Sequence, residues 1–211
     1  MENKKRKSYI RIFVSSTFED MKEERDYLIN HIYPRLAQKA ENSGLQLTFI
    51  DLRWGLNSEM QNGIICNCLD EVDKAQPFFL GILGHRYGWC PNNSELLKDR
   101  NLIQRHPWVI NESECAKPKS ITELEFIKGI WQGTTNELKA KLFSKTPEIY
   151  DEPDLKALKQ RIRVDFPLIQ YATVSELGEF IYNAVSKIIA ENAIECSTKE
   201  EKIASLTEIK I

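Results

Sequence analysis

The sequence predicts an α/β fold in which a central parallel sheet is covered by helices on both faces, and three observations carry that prediction. Short apolar, β-branched runs recur at residues 9–14 (YIRIFV), 45–52 (LQLTFIDL) and 77–84 (PFFLGILG). Between them lie segments with helical spacing, at lengths suited to right-handed crossovers. The third run is apolar at almost every position, as a strand buried on both faces requires, whereas a half-exposed strand alternates.

The first run ends at Ser15, Ser16 and Thr17 and passes into acidic, helix-forming sequence, so strand, tight loop and helix start follow in order. Thr17 suits the cap of that helix, and Glu19 and Asp20 suit its N-terminal dipole. Leu28, Ile32 and Leu36 recur every fourth residue along one face, and Pro34 is expected to kink or break the helix. The second run follows Gly44 and ends at Arg53, Trp54 and Gly55. Ile65, Leu69 and Val72 mark a helix over residues 64–75, and the third strand ends in Gly84, His85, Arg86, Tyr87, Gly88 and Trp89.

Residues 90–119 are polar and proline-bearing, far longer than the usual connection of about 4 to 6 residues, so they read as a lid or an interaction loop. Ser120 followed by Glu123 forms a capping box that opens a helix over residues 120–131. Beyond it, residues 140–143 read as a weak edge strand, 155–162 as a helix, 166–171 as a strand and 174–190 as a long amphipathic helix. The expected organisation is a basic tail over residues 1–8, one domain over 9–192 with an insertion at 90–119, and a charged tail or linker over 193–211.

With 29 basic and 31 acidic residues the formal charge is -2, so no global field favours nucleic acid or an anionic membrane. No apolar stretch approaches the roughly 20 residues of a membrane span, and the N-terminus lacks the apolar core of a secretory signal; a cytoplasmic protein is expected. Five cysteines without paired spacing and three histidines suggest reduced, structural thiols and no metal site.

In open parallel sheets ligands bind outside the carboxyl ends of the strands. Three successive strand tips converge there: Ser15, Ser16 and Thr17; Asp51, Arg53 and Trp54; and Gly84, Arg86, Tyr87 and Trp89. Hydroxyls at a helix start and the arginines suit a phosphate, and the aromatics suit a base or ribose, so the composite resembles a nucleotide pocket. Each element also has a plainer explanation: the hydroxyls as helix caps, the tryptophans as cover for the core, and Arg53 as partner of Asp51. Glu123 is explained by the capping box, while Glu125 has no such local assignment. Glycine-rich phosphate motifs of the GxxxxGK[ST] and GxGxxG types and the HExxH metal motif are absent from the sequence.

The segments RIFVSSTFEDMKEERDYL, FIDLRWG, CLDEVDKAQPFFLGILGHRYGW and SITELEF closely resemble domain of unknown function 4062, which heads large NACHT and tetratricopeptide-repeat proteins. That family is distantly similar to Toll/interleukin-receptor (TIR) domains, which are flavodoxin-like three-layer sandwiches that serve as signalling adaptors or cleave NAD. The resemblance implies a signalling or effector domain of a STAND, NACHT-type NTPase system, with a connection to innate immunity. Such a domain acts by self-association or by contact with other signalling domains, and is normally fused to an NTPase. No cofactor is implied as a requirement. The alternative is an NAD glycohydrolase or nucleoside-transferase-like enzyme. In catalytic TIR domains a glutamate after the third strand is followed by an apolar and then a small residue; Glu125, Phe126 and Gly129 match this, and Glu123 matches it less closely.

Overall fold

The computed structural model describes residues 8–52, 63–110, 118–133 and 138–208. Five parallel strands form one sheet: β1 (Ser8–Ser15), β2 (Leu45–Ile50), β3 (Phe78–Leu83), β4 (Lys139–Lys145) and β5 (Leu168–Tyr171). Their order, β2-β1-β3-β4-β5, is the doubly wound, flavodoxin-like arrangement, with its switch point between β1 and β3.

Every residue of β3 is buried, because each face carries its own apolar layer. Phe78, Leu80 and Ile82 pack with Ile10, Ile12 and Val14 of β1 on one side, while Phe79 and Leu83 join Phe13 on the other. The first layer is closed by the helical segment after β1 and by α8 (Val174–Glu208). The second is closed by α3 (Ile64–Ala75), α6 (Ile121–Phe126) with the π turn that follows it (Ile127–Trp131), and α7 (Pro153–Asp165).

Pro34 does not break its helix. α1 (Lys22–Tyr27), a π turn (Leu28–Ile32) and α2 (Tyr33–Asn42) run on without interruption, and the Tyr33 N–H reaches back to the Leu28 carbonyl. The wider turn directly ahead of Pro34 absorbs the missing N–H and the bulk of the ring. Leu28, Ile32 and Leu36 all face the core, as their spacing requires.

β4 is longer than its apolar centre suggested, and it lies inside the sheet between β3 and β5. Its lysines obscured this: Lys139 carries its charge out to Glu191 at 3.5 Å, while Leu142 and Phe143 are buried. The last helix is also longer than its clear periodicity, reaching Glu208.

The insertion folds back onto α3. Two short helices, α4 (Asn93–Lys98) and α5 (Arg100–Arg105), bring Leu96 and Leu102 against Ile65, Leu69 and Leu124, and Val109 beyond them joins the same cluster. Part of the stretch read as a lid or an interaction loop is thus packed, since these side chains form a small satellite core.

Gly129 lies where a Cβ would fall 2.3 Å from the ring of Phe79, and that ring is held by Phe126 and Phe13. Gly129→Ala should therefore cost about 1–3 kcal/mol of unfolding free energy, measured by urea denaturation. Unchanged stability would show that the Phe79 layer yields freely.

Candidate functional site

Ser15 ends β1 and Ser16 follows it; although adjacent, they point to different partners. The Ser15 hydroxyl is buried and donates to Oε2 of Glu125 at 2.6 Å. Ser16 accepts from Arg25 twice, through its hydroxyl at 2.5 Å and through its carbonyl at 2.6 Å. The same guanidinium makes an ion pair with Asp51 at the end of β2, where Arg25 is 2% and Asp51 4% exposed. It also lies 5.0 Å from the centre of the Phe18 ring. Arg25, Leu28, Ile32 and Leu36 recur at spacings of three and four, so the arginine occupies the buried stripe of its helix.

The tip of β3 is clasped from two sides. Asp20 accepts the backbone N–H groups of His85 at 2.8 Å and Arg86 at 3.1 Å, and its other oxygen takes the Thr17 hydroxyl. This approach needs a glycine at 84, where a Cβ would lie 2.2 Å from the Asp20 carboxylate. Thr17 thus supports Asp20 and caps no helix; the residue before α1 is Met21, which makes no side-chain cap bond. From the other side, Lys159 donates to the Gly84 carbonyl at 2.9 Å and to Asp151 at 2.6 Å, and Asp151 also meets His85 Nδ1 at 2.7 Å. Burial pushes the Lys159 amine below its usual range, while Asp151 works in the opposite direction.

Between the two tips lies a cleft of about 510 Å³. Its lining includes Ser16, Thr17, Phe18, Arg86, Trp89 and Glu125, with Ile64 and Cys68 contributed by α3. Glu125 is 8% exposed, and its carboxyl is pushed up to about 7 by burial. The Ser15 hydroxyl, the Arg25 charge and the Cys68 thiol oppose that rise, and Asp51 adds to it. The Cys68 thiol is raised by burial and by the neighbouring Glu125. Phe18, 44% exposed, and Trp89, 58% exposed, present aromatic surface to the same cleft. Arg86 pairs with Glu19, so the charged lining is Glu19, Asp20 and Glu125 against one arginine.

Of the residues singled out in the sequence, Ser16, Thr17, Arg86, Trp89 and Glu125 share this cleft, and Ser15 reaches it through Glu125. Tyr87 is buried and donates its hydroxyl to Glu123, which is also held by Lys119 at 2.8 Å and Arg161 at 3.7 Å. Neither Tyr87 nor Glu123 lines the cleft. The Ser120 hydroxyl does cap α6, accepting the Glu123 N–H at 3.1 Å. Arg53 and Trp54 lie outside the described residues.

One ligand-type cluster lies elsewhere. Cys66, Asp70 and His106 bring donor atoms within 4.8 Å of one another. Asp70 there pairs with the Arg105 guanidinium and lies 3.0 Å from His106 Nε2, and Arg105 is 3.7 Å from the Cys66 sulfur. The group therefore reads as a clamp between α3 and the insertion.

Glu125 retains its proton longer folded than unfolded, where its value is 4.5. Its contribution is favourable below about pH 4.5 and is lost as pH rises towards 7, a change of about 3 kcal/mol. Glu125→Gln should flatten this slope and be the more stable form at pH 8 by denaturant titration. Parallel pH profiles of the two proteins would contradict the burial of the carboxyl.

The family model described as Domain of unknown function (DUF4062) matches residues 11–186. A TPR repeat-containing protein of Dictyostelium discoideum is 35% identical over 127 residues, covering 56% of this chain and 7% of its own length. Telomerase protein component 1 of Rattus norvegicus is 37% identical over 130 residues, 61% of this chain and 5% of that protein. NACHT and WD repeat domain-containing protein 2 of Homo sapiens is 37% identical over 89 residues, 37% of this chain and 5% of that protein. The chain thus spans less than a tenth of the length of these three relatives. With the family model covering most of its length, the chain belongs to the DUF4062 family.

Proposed function

We propose that this domain is a signalling or effector module of a larger NACHT-type protein, and that it binds a nucleoside-type ligand in the cleft between the β1 and β3 tips. The carrying observation is Glu125, a buried carboxyl at a cleft flanked by two exposed aromatic side chains, at the switch point where sheets of this order take ligands. Phe18 and Trp89 suit a flat heterocycle. Glu19, Asp20 and the part-ionised Glu125 against one arginine disfavour a phosphate deep in the cleft, so the base and ribose enter and phosphates lie outward near Arg86. Relatives that carry NACHT domains support the multidomain setting. The buried, unbridged cysteines Cys66 and Cys68 suit the cytoplasm, and among the described residues no helix is long and apolar enough to cross a membrane.

The same carboxyl favours a second reading, cleavage of NAD, which the distant likeness to TIR domains also suggests. Water adds to the ribosyl anomeric carbon as the carbon–nitrogen bond breaks, and the bonding pair neutralises the pyridinium nitrogen. The surplus proton of water leaves to the Glu125 carboxylate or to solvent. The ionised carboxylate opposes the positive charge that develops at the anomeric carbon.

Concentrated protein incubated with NAD should release nicotinamide, with a rate that rises through about pH 7 as Glu125 ionises. Glu125→Gln should lower turnover by roughly two orders of magnitude or more. Binding of NAD without turnover would leave the ligand-binding module and remove the enzyme. Failure to bind NAD, adenosine or nicotinamide riboside would contradict the nucleoside reading.

A further inference from the structure

We propose that Glu19 makes the cleft favour uncharged nucleosides over their phosphorylated forms, by holding Arg86, the arginine of the cleft wall. This inference rests on the nucleoside reading of the cleft and adds to it the residue that discriminates on charge.

Glu19, in the loop after β1, and Arg86, at the tip of β3, both line the cleft and form an ion pair. The backbones that carry them are pinned together. Asp20, the neighbour of Glu19, accepts the N–H groups of His85 at 2.8 Å and Arg86 at 3.1 Å. On the other side of Arg86, the Glu152 N–H donates to the His85 carbonyl at 3.0 Å, and Glu152 Oε2 accepts the Tyr87 N–H at 2.8 Å. Arg86 thus stands on a fixed main chain, and its half-exposed side chain is the part that can swing.

Two carboxylates flank that side chain, and they differ in freedom. Glu152 lies 4.0 Å from Arg86 Nε, but its other oxygen is committed to the Tyr87 N–H, which anchors it. Glu19 is 76% exposed. An ion pair so open to water is weakly held, because solvent screens the attraction and two long side chains must be ordered to make it. Glu19 is therefore the partner that an incoming anion displaces.

Ligand charge decides whether that displacement is needed. An uncharged base and ribose settle against Phe18 and Trp89 and leave the ion pair intact. A 5′-phosphate carries between one and two negative charges near neutral pH, and it reaches Arg86 only by turning Glu19 aside. The displaced carboxylate stays tethered beside Asp20, close enough to repel the phosphate. Glu19 and the phosphate thus compete for one guanidinium.

Isothermal titration calorimetry with adenosine, nicotinamide riboside and the 5′-monophosphate of each gives the ratio of nucleotide to nucleoside affinity. Glu19→Gln should raise that ratio about threefold or more at low ionic strength, and the gain should shrink in about 0.5 M salt. In the Arg86→Gln background most of the gain should disappear, since there is no guanidinium to release. Both side chains are exposed enough to be replaced without loss of packing, and circular dichroism melts verify that the variants fold. A ratio unmoved by Glu19→Gln, or a gain equally large without Arg86, would overturn the proposal and leave the nucleoside reading standing. Failure of all four compounds to bind any of the proteins would overturn both.

Discussion

A guanidinium buried at the carboxyl end of the sheet holds the candidate site together. Arg25 has been withdrawn from water at a cost of several kcal/mol, recovered only through the bonds it makes. Those bonds reach the hydroxyl and carbonyl of Ser16, the carboxylate of Asp51 and the face of Phe18. One side chain thereby fixes the tip of β1 against the tip of β2 and places an aromatic ring at the cleft. Loss of either ionic partner would leave the other charged and buried, which costs on the order of 3–5 kcal/mol in comparable settings. The ion pair thus acts as a register pin for the strand tips.

The chemistry of Glu125 follows from this arrangement. Its carboxyl lies where α3, α6 and the end of β1 meet, and burial raises its proton affinity. Ser15 and Arg25 restrain the rise, so the group is poised near neutrality, where both protonation states are accessible. The opposite wall depends on a different clasp, in which Asp20 and Lys159 secure the β3 tip that bears Arg86 and Trp89. Two independent polar clasps therefore set the width of one cleft.

Where periodicity was unambiguous, the sequence was sufficient. The uniform apolarity of the third strand specified its burial, and the helix over residues 64–75 has the same bounds in the structure. The convergence of Ser16, Arg86 and Glu125 was legible because parallel topology brings successive strand tips to one edge. Three features were harder to read. Lys139, Lys141 and Lys145 around Leu142 and Phe143 disguised an interior strand; Lys139 carries its charge to Glu191 and Lys145 meets the buried Glu24. The insertion looked polar because its packed apolar residues, among those described Leu96, Leu102, Trp108, Val109 and Ile110, are scattered between polar ones. The roles of Tyr87 and Glu123 depend on long-range partners, Arg161 among them, that no local pattern announces. Arg25 was legible in principle, as a charge on an otherwise apolar stripe.

The candidate site turns on a buried carboxyl whose ionised form is opposed by burial and favoured by Ser15 and Arg25, and the part played by the arginine can be observed directly. Isotope-edited infrared or carbon-13 NMR titration of Glu125 should give an apparent value of about 7 in the unaltered chain. With Arg25 replaced by Met in a variant confirmed as folded, the carboxyl should titrate higher, because the charge that favours its ionised form is gone. A value near 4.5 in the unaltered chain, or one unmoved by the loss of Arg25, would contradict the account.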